Sequence, residues 1–303
     1  MGAPTVPTRT SFPLSTDDGR EVWVHRWGSA EPGPSRGVVH LLHGAGEHAL
    51  RYDHLANALV RAGFEVFADD HLAHGETGLA AGRLGRIGRG QNRAALRAVA
   101  EVALHIRAQR PGRPLVVFGH SWGSLLAQQL FARHHGLVDG MILTGTTLAL
   151  PGWINAGEMN ARFEPDGTGL SWLSRDPAVA EAFANDPLTF DIARTPPWSP
   201  IGRLQLLHLP PGRLRGRIDE LPVLVLAGSE DAISHGARGA RALVRCYRRR
   251  TGLSDVSYRE YPGARHELVN ERNRDEVIGD MVSWLVERWP LRSQWCGTPS
   301  EAK

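Results

Sequence analysis

Leu115-Val116-Val117-Phe118-Gly119-His120-Ser121-Trp122-Gly123 is an apolar strand that turns into a helix with almost no loop between them. Residues 115–118 have strand length and composition, and from 124 onward the apolar spacing becomes helical. A serine on so sharp a turn has a strained backbone and a crowded neighbourhood. Small residues two before and two after it let strand and helix pass closely, and Gly119 and Gly123 meet that need. The helix start also aims backbone N–H groups and a positive dipole at the serine oxygen, which favours negative charge developing there. Ser121 is therefore a candidate nucleophile; a plain helix cap is the competing reading.

Outward from this turn, short apolar runs alternate with longer helical stretches. Strands are expected at 21–27, 37–42, 64–68, 115–118, 140–144, 223–227 and 256–261, and helices at 52–62, 93–109, 124–134, 237–250 and 274–287. That alternation predicts an α/β architecture: a mostly parallel central sheet with helices on both faces. Between 148 and 216 it stops, and the segment fills with Pro, Gly, Trp and short helical pieces. A connection of that length without regular order is usually a functional insertion. The expected organisation is a first core part at 1–147, a cap insertion at 148–216 and a second core part at 217–303. The Pro-rich start and the carboxyl-terminal tail are expected to fray.

Three further segments follow strands. Leu41-Leu42-His43-Gly44-Ala45-Gly46-Glu47-His48 follows an early central strand, where a loop can turn backbone donors toward the nucleophile. An ordinary glycine turn is the alternative. Leu221 to Asp231 is an apolar strand ending in Gly228-Ser229-Glu230-Asp231, where a carboxylate can orient a histidine and stabilise its imidazolium. Asp231 is the candidate, with Glu230 and a purely turn-forming role as competitors. Pro262-Gly263-Ala264-Arg265-His266 follows the last strand and supplies the base that serine needs at neutral pH. The chain order Ser121, Asp231, His266 is that of an α/β-hydrolase, whose oxyanion hole takes the N–H after the serine and one from the early loop, here Trp122 and Ala45.

Composition sets the surrounding limits. The chain has 303 residues, 42% hydrophobic and 22% charged, as expected of a globular protein with a sizeable core. No apolar run approaches membrane-span length, and the first thirteen residues lack the apolar region of a signal peptide, so cytoplasmic residence is expected. Two cysteines, Cys246 and Cys296, give no disulfide framework. The net charge of +3 rests on arginine, since Lys303 is the one lysine. Arg245, Arg248, Arg249 and Arg250 could meet an anionic partner or form a solvated helix end, but no nucleic-acid module accompanies them. His43, His48, His71 and His74 lack the spacing of a zinc site, so no metal is expected.

His43-Gly44-Ala45-Gly46-Glu47-His48 followed by Arg51-Tyr52 resembles the oxyanion loop of monoacylglycerol lipases. Asp70-His71-Leu72-Ala73-His74-Gly75, the Gly228-Ser229-Glu230-Asp231 turn and the setting of His266 are similar to other stretches of that family. In the insertion, Leu173-Ser174-Arg175-Asp176 and Asn185-Asp186-Pro187-Leu188 resemble bacterial lysophospholipase-like members. The resemblance runs over about 12–285. It implies a Ser121, Asp231, His266 triad, oxyanion donors at Ala45 and Trp122, a mobile cap at 148–216 and no cofactor. Trp122 stands where the family commonly has methionine, and its larger side chain is expected to reshape the acyl pocket.

The function implied is hydrolysis of carboxylic esters, most of all monoacylglycerols or lysophospholipids, through an acyl-enzyme. An acyltransferase or an amide or thioester hydrolase would use the same residues, and a non-catalytic ligand-binding protein could share the fold. Partners are a small acyl ester or monoacyl lipid, no nucleic acid, and a transient membrane surface touched by the cap. Trp153, Trp172 and Trp198 either line an acyl tunnel or pack the cap onto the core.

Overall fold

The computed structural model describes residues 6–30, 35–155, 157–163, 168–213 and 220–291. Eight strands form one sheet: β1 (Pro7–Ser15), β2 (Glu21–Ser29), β3 (Gly37–Leu42), β4 (Phe64–Asp69), β5 (Leu115–His120), β6 (Gly140–Thr144), β7 (Val223–Gly228) and β8 (Val256–Tyr261). Their order is β1-β2-β4-β3-β5-β6-β7-β8. From β4 to β8 all neighbours pair in parallel, while β2 pairs antiparallel with both β1 and β4.

The apolar runs become central strands because both faces of the sheet are covered, and β3, β5, β6 and β7 are buried at every position. The helices among the described residues are α1 (Asp53–Arg61), α2 (Gly75–Ala80), α3 (Gln91–Gln109), α4 (Trp122–His134), α5 (Pro177–Asn185), α6 (Pro200–Arg203), α7 (Arg238–Cys246) and α8 (Arg274–Arg288). Alternation along each strand sorts the core into two layers. Val39, Leu41, Val116 and Phe118 meet Leu55 and Leu59 of α1 and Met281 and Leu285 of α8. Val38, Leu42, Leu115 and Val117 meet Val99 of α3, Leu126 and Leu130 of α4 and Leu243 of α7. The insertion between β6 and β7 carries α5 and α6 and a third apolar cluster around Trp172, Leu173 and Phe183.

The amino-terminal segment does not fray as expected over 7–15. Those residues form β1, paired in register with β2 from Pro7 opposite Ser29 to Ser15 opposite Glu21. Most of β1 is exposed, so it lacks the apolar alternation by which a strand is recognised, and an edge position tolerates its prolines. Phe12 and Leu14 still reach the core, with the Phe12 ring 5.7 Å from that of His105. The carboxyl-terminal tail from 292, with Cys296, lies outside the described residues.

The helix expected over 237–250 is α7 plus a wide π turn at Tyr247–Thr251. In the arginine cluster, Arg248 donates to the Val256 carbonyl at 2.6 Å and Arg250 Nε to that of Pro210 at 2.9 Å. Those two side chains close backbone acceptors, and all four arginines of the cluster are exposed. Among the described residues, no helix is long and apolar enough to cross a membrane.

Candidate active site

The carboxyl ends of β3, β5, β7 and β8 converge on one cleft, the usual place for a site in an open parallel sheet. At the end of β5, Ser121 has φ +52° and ψ −120°, a conformation side-chain-bearing residues rarely adopt. Its surroundings hold it there. Ser121 N donates to Thr144 O on the neighbouring strand at 3.0 Å, and Ser124 N returns to Ser121 O at 2.9 Å as α4 begins. The two glycines are required sterically: a Cβ on Gly123 would stand 2.1 Å from Leu42 O, and one on Gly119 would stand 2.6 Å from Gly123 O. Strand and helix therefore cross at backbone contact, which lifts the serine side chain into the cleft.

His266 sits just past β8, and its Nδ1–H donates to Asp231 Oδ1 at 3.0 Å. That oxygen also accepts the Ile233 N–H at 2.8 Å, so the carboxylate is aimed by its own turn. Both side chains are almost fully buried. Burial disfavours the charged imidazole, but the adjacent Asp231 carboxylate, together with Glu267 and Glu47, holds the His266 pKa above the usual histidine value. For Asp231, burial pushes upward and His266 pulls down, with a net lowering. The Nδ1–H tautomer leaves Nε2 as an acceptor. It is buried, has no hydrogen-bond partner among the described residues, and belongs to the same cleft as Ser121. Glu230, the competing acid, is exposed.

The loop after β3 brings Ala45 beside Ser121. Gly44 N donates to Glu47 Oε1 at 2.6 Å, which ties back the donor just before Ala45. Trp122 opens α4, where first-turn N–H groups have no intrahelical acceptor. Beneath the loop the histidines serve the backbone. His43 Nε2 accepts from His71 N at 2.9 Å while its Nδ1–H donates to Gly44 O at 2.7 Å, and His71 binds Asp69 at 2.7 Å. Burial first, then neighbouring histidines, lowers the His43 pKa well below the usual value. His74 and His120 are likewise pushed down to about 3, chiefly by burial. For His43, His74 and His120 burial thus favours the neutral ring. Among the described residues, no group of histidine, cysteine and carboxylate side chains could hold a metal.

The cleft has an empty volume of about 380 Å³, its open mouth included. Its lining combines Ser121, His120 and His266 with Leu170, Trp172, Phe183, Phe190 and Ile192 of the insertion, which also contributes Asp191. Trp172 packs on His266, the ring centroids 5.0 Å apart. The Trp122 side chain, expected to reshape this pocket, points away from it. Its indole N–H donates to Asn92 Oδ1 of α3 at 2.8 Å, and its ring meets Trp198 edge-on at 5.1 Å inside the core. As the first residue of a helix that crosses β3 at backbone contact, it carries its side chain back between α3 and the insertion. Trp153 and Trp198 pack with that core as well, so of the three insertion tryptophans only Trp172 lines the cleft.

Sequence reasoning gave no role to Glu47, Arg51 and Glu267, which form a buried ion network whose two carboxylate residues border the cleft. The four-residue spacing of Glu47 and Arg51 is a visible signal for a local pair, whereas Glu267 joins only through the fold.

The family described as serine aminopeptidase, S33, matches residues 33–273. A monoacylglycerol lipase of Mycolicibacterium smegmatis is 30% identical over 267 residues, covering 83% of this chain and 88% of that protein. A thermostable carboxyl esterase from Bacillus coagulans, solved in complex with glycerol, is similar with a TM-score of 0.79 and 27% identity over 92% of this chain and 98% of its own. A monoacylglycerol lipase from Paleococcus ferrophilus is similar with a TM-score of 0.66 and 26% identity, over 88% and 99%.

Proposed function

This chain belongs to the serine aminopeptidase S33 family of α/β-hydrolases and is a carboxylic ester hydrolase of the monoacylglycerol lipase kind, and within that frame we propose that it cleaves monoacyl esters of small polar alcohols through an acyl-enzyme on Ser121. The observation that carries this reading is the shared cleft. A serine on a strained strand-to-helix turn shares one cleft with a histidine whose Nε2 has no hydrogen-bond partner among the described residues and whose other nitrogen is held by a buried carboxylate, beside apolar side chains of the insertion.

In the proposed reaction His266 Nε2 takes the Ser121 hydroxyl proton as the oxygen attacks the ester carbonyl, and Asp231 stabilises the imidazolium. The backbone N–H groups of Ala45 and Trp122 donate to the developing oxyanion. The imidazolium then protonates the departing alcohol. Water, deprotonated by the same nitrogen, releases the carboxylic acid and restores the serine. Residues 148–216 act as a cap, and their apolar wall holds one acyl chain, each buried methylene contributing on the order of 0.8 kcal/mol. A single such wall leaves the second chain of a diacyl lipid in water. Monoacylglycerols and lysophospholipids both meet these terms.

The test pairs a Ser121→Ala variant with a substrate panel. The variant is expected to fold, to lose labelling by a fluorophosphonate probe and to lose esterase activity; full labelling would sink the assignment. With the native chain, monoacylglycerol, lysophosphatidylcholine and a short aryl ester should be cleaved ahead of triacylglycerol and an aminoacyl amide at equal concentration. Preference for the amide would overturn the ester reading while leaving Ser121 in place.

A further inference from the structure

We propose that Arg51 is a positioning residue of this reaction, a buried guanidinium that braces the oxyanion loop against the loop carrying the base. The inference rests on the roles assigned above to Ser121, His266 and Ala45.

Arg51 leaves the 3-10 turn Ala49–Tyr52 with its side chain only 10% exposed, between two carboxylates that are 3% exposed each. On one side it donates to Glu47 Oε2. The other oxygen of Glu47 accepts the Gly44 N–H and the Tyr52 hydroxyl, both at 2.6 Å. Gly44 immediately precedes Ala45, so the carboxylate that Arg51 holds fixes the His43–Gly44 peptide, one unit before the peptide that carries the Ala45 N–H, and the Gly44 carbonyl of that next unit is held by His43 Nδ1–H at 2.7 Å. On the other side Arg51 makes a two-pronged contact with Glu267, at 2.9 Å to each oxygen. Glu267 directly follows His266, and Asn270 donates to it at 2.7 Å. The Phe183 ring of α5 covers the guanidinium at 4.9 Å.

One side chain thus spans two loops that must keep their spacing to a fraction of an ångström for base and oxyanion donor to act on one substrate carbonyl. An ion network placed only for stability could sit anywhere. Here each carboxylate lies next to a group the proposed reaction uses. Both carboxylates and Tyr52 belong to the same buried set, and among the described residues Arg51 is the cation that pairs with both carboxylates. The planar guanidinium satisfies Glu267 with two parallel bonds while reaching Glu47. A lysine ammonium keeps the charge and cannot reproduce that fork.

The experiment uses the full chain with Arg51→Lys and Tyr52→Phe, measuring kcat and KM on a p-nitrophenyl ester, affinity for a trifluoromethyl ketone that forms a serine adduct, and thermal melting. For Arg51→Lys, kcat should fall about 10- to 100-fold with KM changed less than about threefold, and ketone affinity should fall in proportion to kcat/KM. Tyr52→Phe, which frees one tether of Glu47, should move kcat in the same direction by less. A folded Arg51→Lys with native kcat, or with a change confined to KM, overturns the inference. If that variant does not fold, Tyr52→Phe decides, and native kcat there overturns it as well. Activity persisting in Ser121→Ala would instead remove the reading on which the inference stands, so the two failures are distinguishable.

Discussion

Asp231 presents one oxygen to two donors, the His266 Nδ1–H and the Ile233 N–H, and has Glu230 as its exposed neighbour. Two carboxylates adjacent in sequence therefore differ completely in environment. Asp231→Asn should lower kcat by roughly 10⁴-fold, because an amide can hold His266 in the wrong tautomer. Glu230→Gln should leave turnover near native, and the reverse pair of results would move the acid by one position. The same contact sets a pH dependence. His266 must be neutral to accept the serine proton, and its pKa is raised above the ordinary 6.5. Activity should thus be lost as pH falls through a value above 6.5 and regained as pH rises past it. A kcat/KM profile whose acid limb inflects below 6.5 would contradict the Asp231–His266 coupling.

The turn from β5 into α4 was legible as an element because its demands fall on residue types visible in sequence. Apolar residues feed the strand, and glycine stands where backbone meets backbone. Gly123→Ala, with its Cβ directed at a carbonyl only 2.1 Å away, should abolish activity and lower soluble yield; a stable, active variant would deny the close crossing. Side-chain direction at the same turn was not legible. The expectation that Trp122 shapes the acyl pocket fails because the start of α4 turns that ring toward Asn92 and Trp198, a contact between distant segments. The insertion repeats the lesson, since Trp172 and Trp198 are alike in composition and opposite in placement. Trp172→Ala should shift the acyl length preferred among p-nitrophenyl esters. Trp198→Ala should leave that profile alone and lower the melting temperature through a core loss of about 3 kcal/mol or more. Equal profiles for both variants would place the acyl chain elsewhere.

Across the whole molecule, the parallel strands followed from alternation of apolar runs and helices, whereas the antiparallel edge strand β1 did not. β1 is mostly exposed and begins at a proline, so its strand character comes from pairing with β2 and from Phe12 and Leu14 reaching the core. Pairing of that kind is a property of two segments and leaves no mark in either one alone. The site is built on the ends of β3, β5, β7 and β8, and β2 and β4 lie between β1 and the nearest of these. Removing residues 1–15 should therefore act on stability and not on chemistry. It opens β2 as a sheet edge whose unpaired backbone groups can recruit another chain, and it uncovers the apolar surface under Phe12 and Leu14. The truncated protein should melt at lower temperature and aggregate sooner, yet the fraction titrated by a fluorophosphonate probe should turn over at the native kcat. A kcat per titrated site that falls with the truncation would mean that the edge strand reaches the cleft through β2 and β4, and the separation of scaffold from site proposed for this sheet would not hold.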